Sequence, residues 1–195
     1  FSFGKSQSPK FTNTNERYIE RVKYLVEKLF PAIKTKLYEK GSGWDLLMTT
    51  DSKGKENPVM NFLREMDFDK EAEFPRALNY FTRSQLISYF RSAFACDGYV
   101  HIKKDKKNIE IGGLGSSNEY AYTEFHRELL NKLGISGCIK SEITCKNKNG
   151  KKFNRIVVSG QRNARLFKEI MGEIEGKEIP DSLFDNYIRE NTTTL

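Results

Sequence analysis

Internal repetition constrains this chain more than any other feature of its sequence. Residues 9–66 and 109–171 carry the same order of elements: a short strand, a helix, two strands and a second helix. In the first copy a strand at Lys10–Thr14 meets Asn15-Glu16. The helix that follows runs to Phe30, with Ile19, Val22, Val26, Leu29 and Phe30 at helical spacing. In the second copy a strand at Ile109–Ile111 and a turn at Gly112–Ser117 meet Asn118-Glu119. Its helix carries Tyr122, Phe125, Leu129 and Leu133 on the same phases and stops at Gly134. Two strands come next in each copy, Ile33–Glu39 and Trp44–Thr50, then Ile139–Cys145 and Phe153–Ser159. Closing helices are predicted at Pro58–Met66 and Asn163–Met171, where Asn61–Met66 lines up with Arg165–Ile170. Chance recurrence of an α/β element order accounts for the order alone; the shared phases and the repeated Asn-Glu pair argue for duplication.

The second copy is preceded by a helix that the first lacks. Thr82 with Gln85 three residues on makes a capping-box start. Gly98 supplies the stop. Asp97 then falls in the last turn, where the negative end of the helix dipole disfavours a carboxylate by ~0.3–1 kcal/mol. An acid placed there calls for a compensating cation, and a divalent metal is a natural one. Ser88, Ser92 and Ala95 line one face and let a second backbone approach closely. An ordinary core helix ending in an Asp-Gly turn fits the same spacing.

At 195 residues the chain can bury one good core or two small ones. Its formal charge of +7 favours a polyanionic partner. No apolar run approaches the ~20 residues of a membrane span, and the start does not read as a signal peptide. Cys96, Cys138 and Cys145 are odd in number and lack metal spacing, so reduced thiols in an intracellular protein (cytoplasm, nucleoid or organelle matrix) are expected rather than disulfides or zinc. The chain opens on Phe1 rather than Met, which fits a processed, excised or split piece.

Phe90-Arg91-Ser92-Ala93-Phe94-Ala95-Cys96-Asp97-Gly98, followed by the strand Tyr99–Ile102, resembles the nine-residue signature of the LAGLIDADG homing endonucleases. The final Asp-Gly and the apolar and small positions match. Arg91-Ser92 stands where the family has Ala-Gly, and Ala95 replaces its first acid. The tandem units extend the resemblance over nearly the whole chain, closest to intein-encoded and archaeal intron-encoded members. The resemblance implies an α/β (α+β) pseudo-dimer of two αββαββα-type repeats with saddle-shaped antiparallel sheets. Residues 1–66 would be a first repeat lacking its signature helix and 67–81 an acidic linker. Residues 82–175 would be a second repeat with signature helix 82–98, and 176–195 a tail with a short apolar helix at Leu183–Ile188.

The same resemblance implies a site-specific double-strand DNA endonuclease using Mg²⁺ (or Mn²⁺). Asp97 is the position onto which the metal-binding acid transfers, and Lys53 or Lys55 the water-positioning candidate; a solvated lysine loop accounts for those two equally well. The second acid and its helix would come from an N-terminal segment or a second chain, packing on Ser88, Ser92 and Ala95. A non-cleaving DNA- or RNA-binding descendant (transcriptional regulator or intron maturase) and a split half are the alternatives.

Double-stranded DNA would lie on the sheets, because a twisted antiparallel ribbon fits the major groove. The strands and hairpins are basic: Lys34, Lys36 and Lys40 in the first unit; His101, Lys103, Lys104, Lys106 and Lys107 in one hairpin of the second. Lys140, Lys146, Lys148, Lys151, Lys152 and Arg155 mark another. Gly112-Gly113-Leu114-Gly115 lacks the lysine and βαβ context of a nucleotide loop and reads as a strand-end turn. His126, on a helix without matching ligands, reads as a surface or edge residue.

Overall fold

Two four-stranded antiparallel sheets with the same strand order make up the computed structural model. It describes residues 2–3, 8–51, 56–66, 76–102, 109–117, 120–143, 152–174 and 176–184. The chain divides into a unit Phe1–Ala77 and a unit Leu78–Leu195. The first contains β1 (Ser2–Phe3), β2 (Pro9–Asn13), α1 (Glu16–Leu29), β3 (Ile33–Lys40), β4 (Gly43–Thr50) and α2 (Pro58–Glu65). The second contains α3 (Arg83–Asp97), β5 (Tyr99–Ile102), β6 (Ile109–Ser117), α4 (Tyr120–Lys132), β7 (Cys138–Ile143), β8 (Lys152–Ser159) and α5 (Gln161–Met171). Strand order is β1-β2-β4-β3 in one sheet and β5-β6-β8-β7 in the other. The repeated sequence pattern is therefore a repeated topology.

In the first unit the Asn15 side chain caps α1 by accepting from the Arg17 backbone N–H. That start turns Ile19 and Val26 onto Ile33, Leu46 and Met48, and α2 adds Val59 and Leu63 to the same cluster. Burying each such aliphatic side chain stabilises the fold by ~1.5–3 kcal/mol. Asn57 caps α2 and also donates to the Met48 carbonyl at 3.0 Å, tying helix to sheet. The β3–β4 register, from Ile33 opposite Thr50 to Lys40 opposite Gly43, sends Ile33 into the core. Strand alternation then puts Lys34, Lys36 and Lys40 on the opposite face.

In the second unit both halves of the capping box at Thr82 and Gln85 are formed. Leu86, Phe90 and Phe94 are the buried face of α3, with Phe94 edge-on to Phe167 of α5 at 5.1 Å. One element departs from the sequence reading. Gly112–Ser117 is not a turn: β6 continues through it, with register shifts between Gly112 and Leu114 and between Leu114 and Ser117. Glycines depleted from ordinary strands are at home where a strand bulges. Beyond α5, a 3-10 turn forms at Asp181–Leu183, ahead of the expected Leu183–Ile188 helix, most of which falls outside the described residues. Among the described residues no helix is long and apolar enough to cross a membrane.

Candidate metal and nucleic-acid site

Asp97 ends α3 with its side chain exposed, and Gly98 closes the helix by donating its N–H to the Phe94 carbonyl at 2.7 Å. Position 98 needs glycine for space: a Cβ there would lie 2.0 Å from the Phe94 ring. Gly113 of β6 passes directly beneath this corner at φ +95°, and a Cβ on it would meet the Asp97 carbonyl oxygen at 2.3 Å. Gly112 likewise makes room for the Tyr99 ring, 2.4 Å from where its Cβ would be. The glycine pair is thus the seat on which the end of α3 rests. On the exposed side of the helix Ser88 and Ser92 are open to solvent and Ala95 is half-buried. The Ser92 hydroxyl folds back to donate to the Ser88 carbonyl at 3.0 Å.

The sheet face away from the helices is charged in both units. In the second, register places Tyr99, His101, Glu110, Lys140, Glu142 and Arg155 on it together. Glu110 accepts from the Tyr99 hydroxyl at 2.7 Å and pairs with Lys140. Arg155 pairs with Glu142 and sits 5.2 Å over the Tyr99 ring. Burial pushes the Glu110 carboxyl up, but hydrogen bonds from Lys140 and Tyr99 outweigh it and hold the group below the usual carboxylate range. Burial, then the bond to Glu110, pushes the Tyr99 hydroxyl up to about 12. Lys140 and Arg155 are therefore charge-matched, while His101 is exposed.

In the first unit Thr12 and Lys10 hold the buried Asp45 carboxylate at 2.6 and 3.1 Å. The Thr12 bond leads in keeping that group below its ordinary range, against the opposing pull of burial. Lys34 pairs with Asp51 at 2.6 Å with both side chains 65% exposed, a contact worth little. Lys36 and Lys40 are exposed and form no ion pair among the described residues. Lys152 opens β8 opposite Ile143. Lys53, Lys55, Lys103, Lys104, Lys106, Lys107, Lys146, Lys148 and Lys151 lie outside the described residues.

The family described as LAGLIDADG-like domain matches residues 84–172, the span from α3 through α5. The homing endonuclease I-DmoI in complex with DNA and Mn is similar in structure, with a TM-score of 0.57 at 14% identity over 85% of this chain and 81% of that one. The same enzyme with DNA and Ca gives 0.57 at 13% identity, covering 94% and 83%. The chain has the LAGLIDADG fold. Full-length DUF199/WhiA from Thermatoga maritima shares it at a TM-score of 0.50 and 15% identity, over 97% of this chain and 60% of that one. In sequence, the replicative DNA helicase DnaB of Rhodothermus marinus is 22% identical over 177 residues. The match takes in 87% of this chain but spans only 18% of the helicase.

In the LAGLIDADG-like unit Asp97 offers a hard oxygen donor suited to Mg²⁺ or Mn²⁺. Among the described residues no group of three or more His, Cys, Asp or Glu side chains could cage an ion. Magnesium-type ions are commonly held by one or two carboxylates completed by phosphate and water, and the exposed Asp97 carboxylate is chemically compatible with such an ion. His126 is the clearest departure from the sequence reading, being 1% exposed. Its Nε2 meets the Tyr89 hydroxyl of α3 at 2.7 Å and its Nδ1 meets the Tyr122 carbonyl at 2.8 Å. Burial holds its pKa below the ordinary histidine value. Sequence reasoning also missed Lys177, whose ammonium donates to the Gly98 carbonyl from 79 residues away; nothing local in the sequence signals that contact.

Proposed function

We propose that this chain is the DNA-cleaving part of a site-specific homing endonuclease, acting inside the cell on a long asymmetric duplex site by metal-dependent phosphodiester hydrolysis. The observation that carries the reading is the exposed Asp97 carboxylate at the end of α3, seated on Gly113 beside the charged face of a duplicated sheet. Residues 1–66 and 82–175 would be its two repeats, with 67–81 as linker and 176–195 as tail. Bound Mg²⁺ would polarise the phosphoryl oxygens and lower the pKa of attacking water. Asp97 would hold that ion, and Lys53 or Lys55 would orient the water.

Two sheets of unequal sequence would read two unequal half-sites. Lys36 and Lys40, with the lysines at 103–107 and 146–152, would supply phosphate contacts. Lys34, Lys140 and Arg155, held by neighbouring acids, and His101 would stand closer to the bases. A match to most of this chain within a small fraction of a replicative helicase is what an endonuclease carried inside a host protein would give, and it supports an intein-type origin. A second acid, on a helix packed against Ser88, Ser92 and Ala95, would complete the centre; an N-terminal segment or second chain could bring it.

A non-cleaving, nucleic-acid-binding scaffold is the second reading, favoured by the absence, among the described residues, of any group of three or more His, Cys, Asp or Glu that could hold a metal ion. Incubation with a randomised duplex library and Mg²⁺, followed by sequencing of cut ends, separates the two. One recurrent cleaved sequence supports the endonuclease, and retention of a sequence without cut ends, with the first repeat's signature helix supplied, supports the scaffold.

A further inference from the structure

The segment after α5 is built to deliver one positive charge to the end of α3. Gly172 and Gly176 both adopt positive φ, at +68° and +73°, and the Lys177 N–H closes a turn onto the Ile174 carbonyl at 3.0 Å. Ile174 and Ile179, each 6% exposed, anchor the turn on either side of Lys177. Two more cations clamp it. Arg91 of α3 donates to the Glu173 carbonyl at 3.2 Å, and Lys168 of α5 donates to the Ile179 carbonyl at 2.7 Å while pairing with Asp181. Held this way, the Lys177 ammonium donates to the carbonyl of Gly98, one residue beyond Asp97. That carbonyl belongs to the extended residue that closes α3, directly after Asp97.

We infer that Lys177 is a resident counter-cation of the Asp97 centre and sets how readily a divalent ion loads there; this rests on the proposed metal role of Asp97. With an ammonium bound to the carbonyl of the residue after Asp97, an incoming ion meets one positive charge as well as one negative one. The centre alone holds its metal loosely. DNA phosphates, by adding negative charge at the same place, make loading depend on substrate. Lys177 is thus a positioning residue for the metal, acting through the helix end rather than on the scissile bond.

The test is a Mn²⁺ titration of the whole chain, following paramagnetic broadening of the Gly98 and Gly113 amide resonances in wild type, K177M, K177R and D97N. In K177M the half-broadening concentration should fall by about three- to tenfold, because a repelling unit charge is gone. K177R, which keeps the charge, should track wild type, and K177M should retain the wild-type pattern of amide shifts away from the helix end. Unchanged or weaker Mn²⁺ binding in K177M, with broadening still abolished by D97N, would overturn the counter-cation alone. Absence in wild type of any broadening that depends on Asp97 would overturn the metal reading and this inference with it.

Discussion

Replacing Gly113 with alanine tests the contact on which the whole centre rests. At φ +95° an L side chain costs ~1–2 kcal/mol of backbone strain. Its Cβ would also fall 2.3 Å from the Asp97 carbonyl oxygen and 3.1 Å from the Gly98 Cα, both backbone atoms that cannot rotate away. Relieving such overpacking costs a further ~1–3 kcal/mol. Gly134 is the internal control, because at φ +88° it carries comparable strain with nothing within 4 Å of its Cβ position. With ~2–4 °C of melting temperature per kcal/mol for a chain of this size, Gly113→Ala should melt roughly 4–20 °C below wild type and Gly134→Ala roughly 2–8 °C below. Circular dichroism melts in EDTA measure both without metal or DNA. If the two variants melt together, β6 does not press on the end of α3, and the seating of Asp97 is wrong.

The sheet chemistry predicts a division of labour in DNA binding. Lys36→Gln and Lys40→Gln should each lower the slope of log K against log salt by about 0.9, whereas Lys140→Gln and Arg155→Gln should move it less, because Glu110 and Glu142 already balance those charges; equal slope changes in filter-binding titrations would refute this. Burial depresses the His126 pKa, so above the unfolded value of about 6.5 the residue is neutral in both states and contributes no pH dependence. Below it the unfolded chain takes up the proton first, so stability falls as pH drops toward the folded value. His126→Gln should flatten urea-midpoint profiles between about pH 7 and 5, and an unchanged profile would contradict the buried neutral assignment. Ser92→Leu, at an exposed position, should melt close to wild type yet block cleavage restored by supplying the first repeat's signature helix; retained cleavage would refute packing on that face.

Most of the architecture was legible in the sequence because helix phase and strand alternation are local signals. α3 was bounded by Thr82, Gln85 and Gly98, and the duplicated strand–helix order became a duplicated sheet order. β6 was misread because a run of glycines looks like a turn to any local rule; only the approach of α3 and Tyr99 explains why a strand there needs them. His126 was misplaced for the same reason, since its partner Tyr89 is 37 residues away. Lysine counting could not foresee that cross-strand register would match Lys140 with Glu110 and Arg155 with Glu142. Asp97 stands out in the sequence because an acid at the end of a helix is a local anomaly. Lys177, which donates to the neighbouring Gly98 carbonyl, lies in what reads as a tail.

The proposed activity turns on whether Asp97 carries metal-dependent cleavage. The measurement is the single-turnover cleavage rate of wild type and D97N on a duplex carrying the selected site, with the first repeat's signature helix supplied, in Mg²⁺ and in EDTA, beside duplex affinity in Ca²⁺. Asparagine preserves the shape of the helix end and removes the charge. Cleavage by wild type in Mg²⁺ alone, loss of at least about a thousandfold in D97N (~4 kcal/mol) and unchanged duplex affinity are the predicted results. Cutting by D97N at the wild-type rate, or by wild type in EDTA, would contradict the central claim.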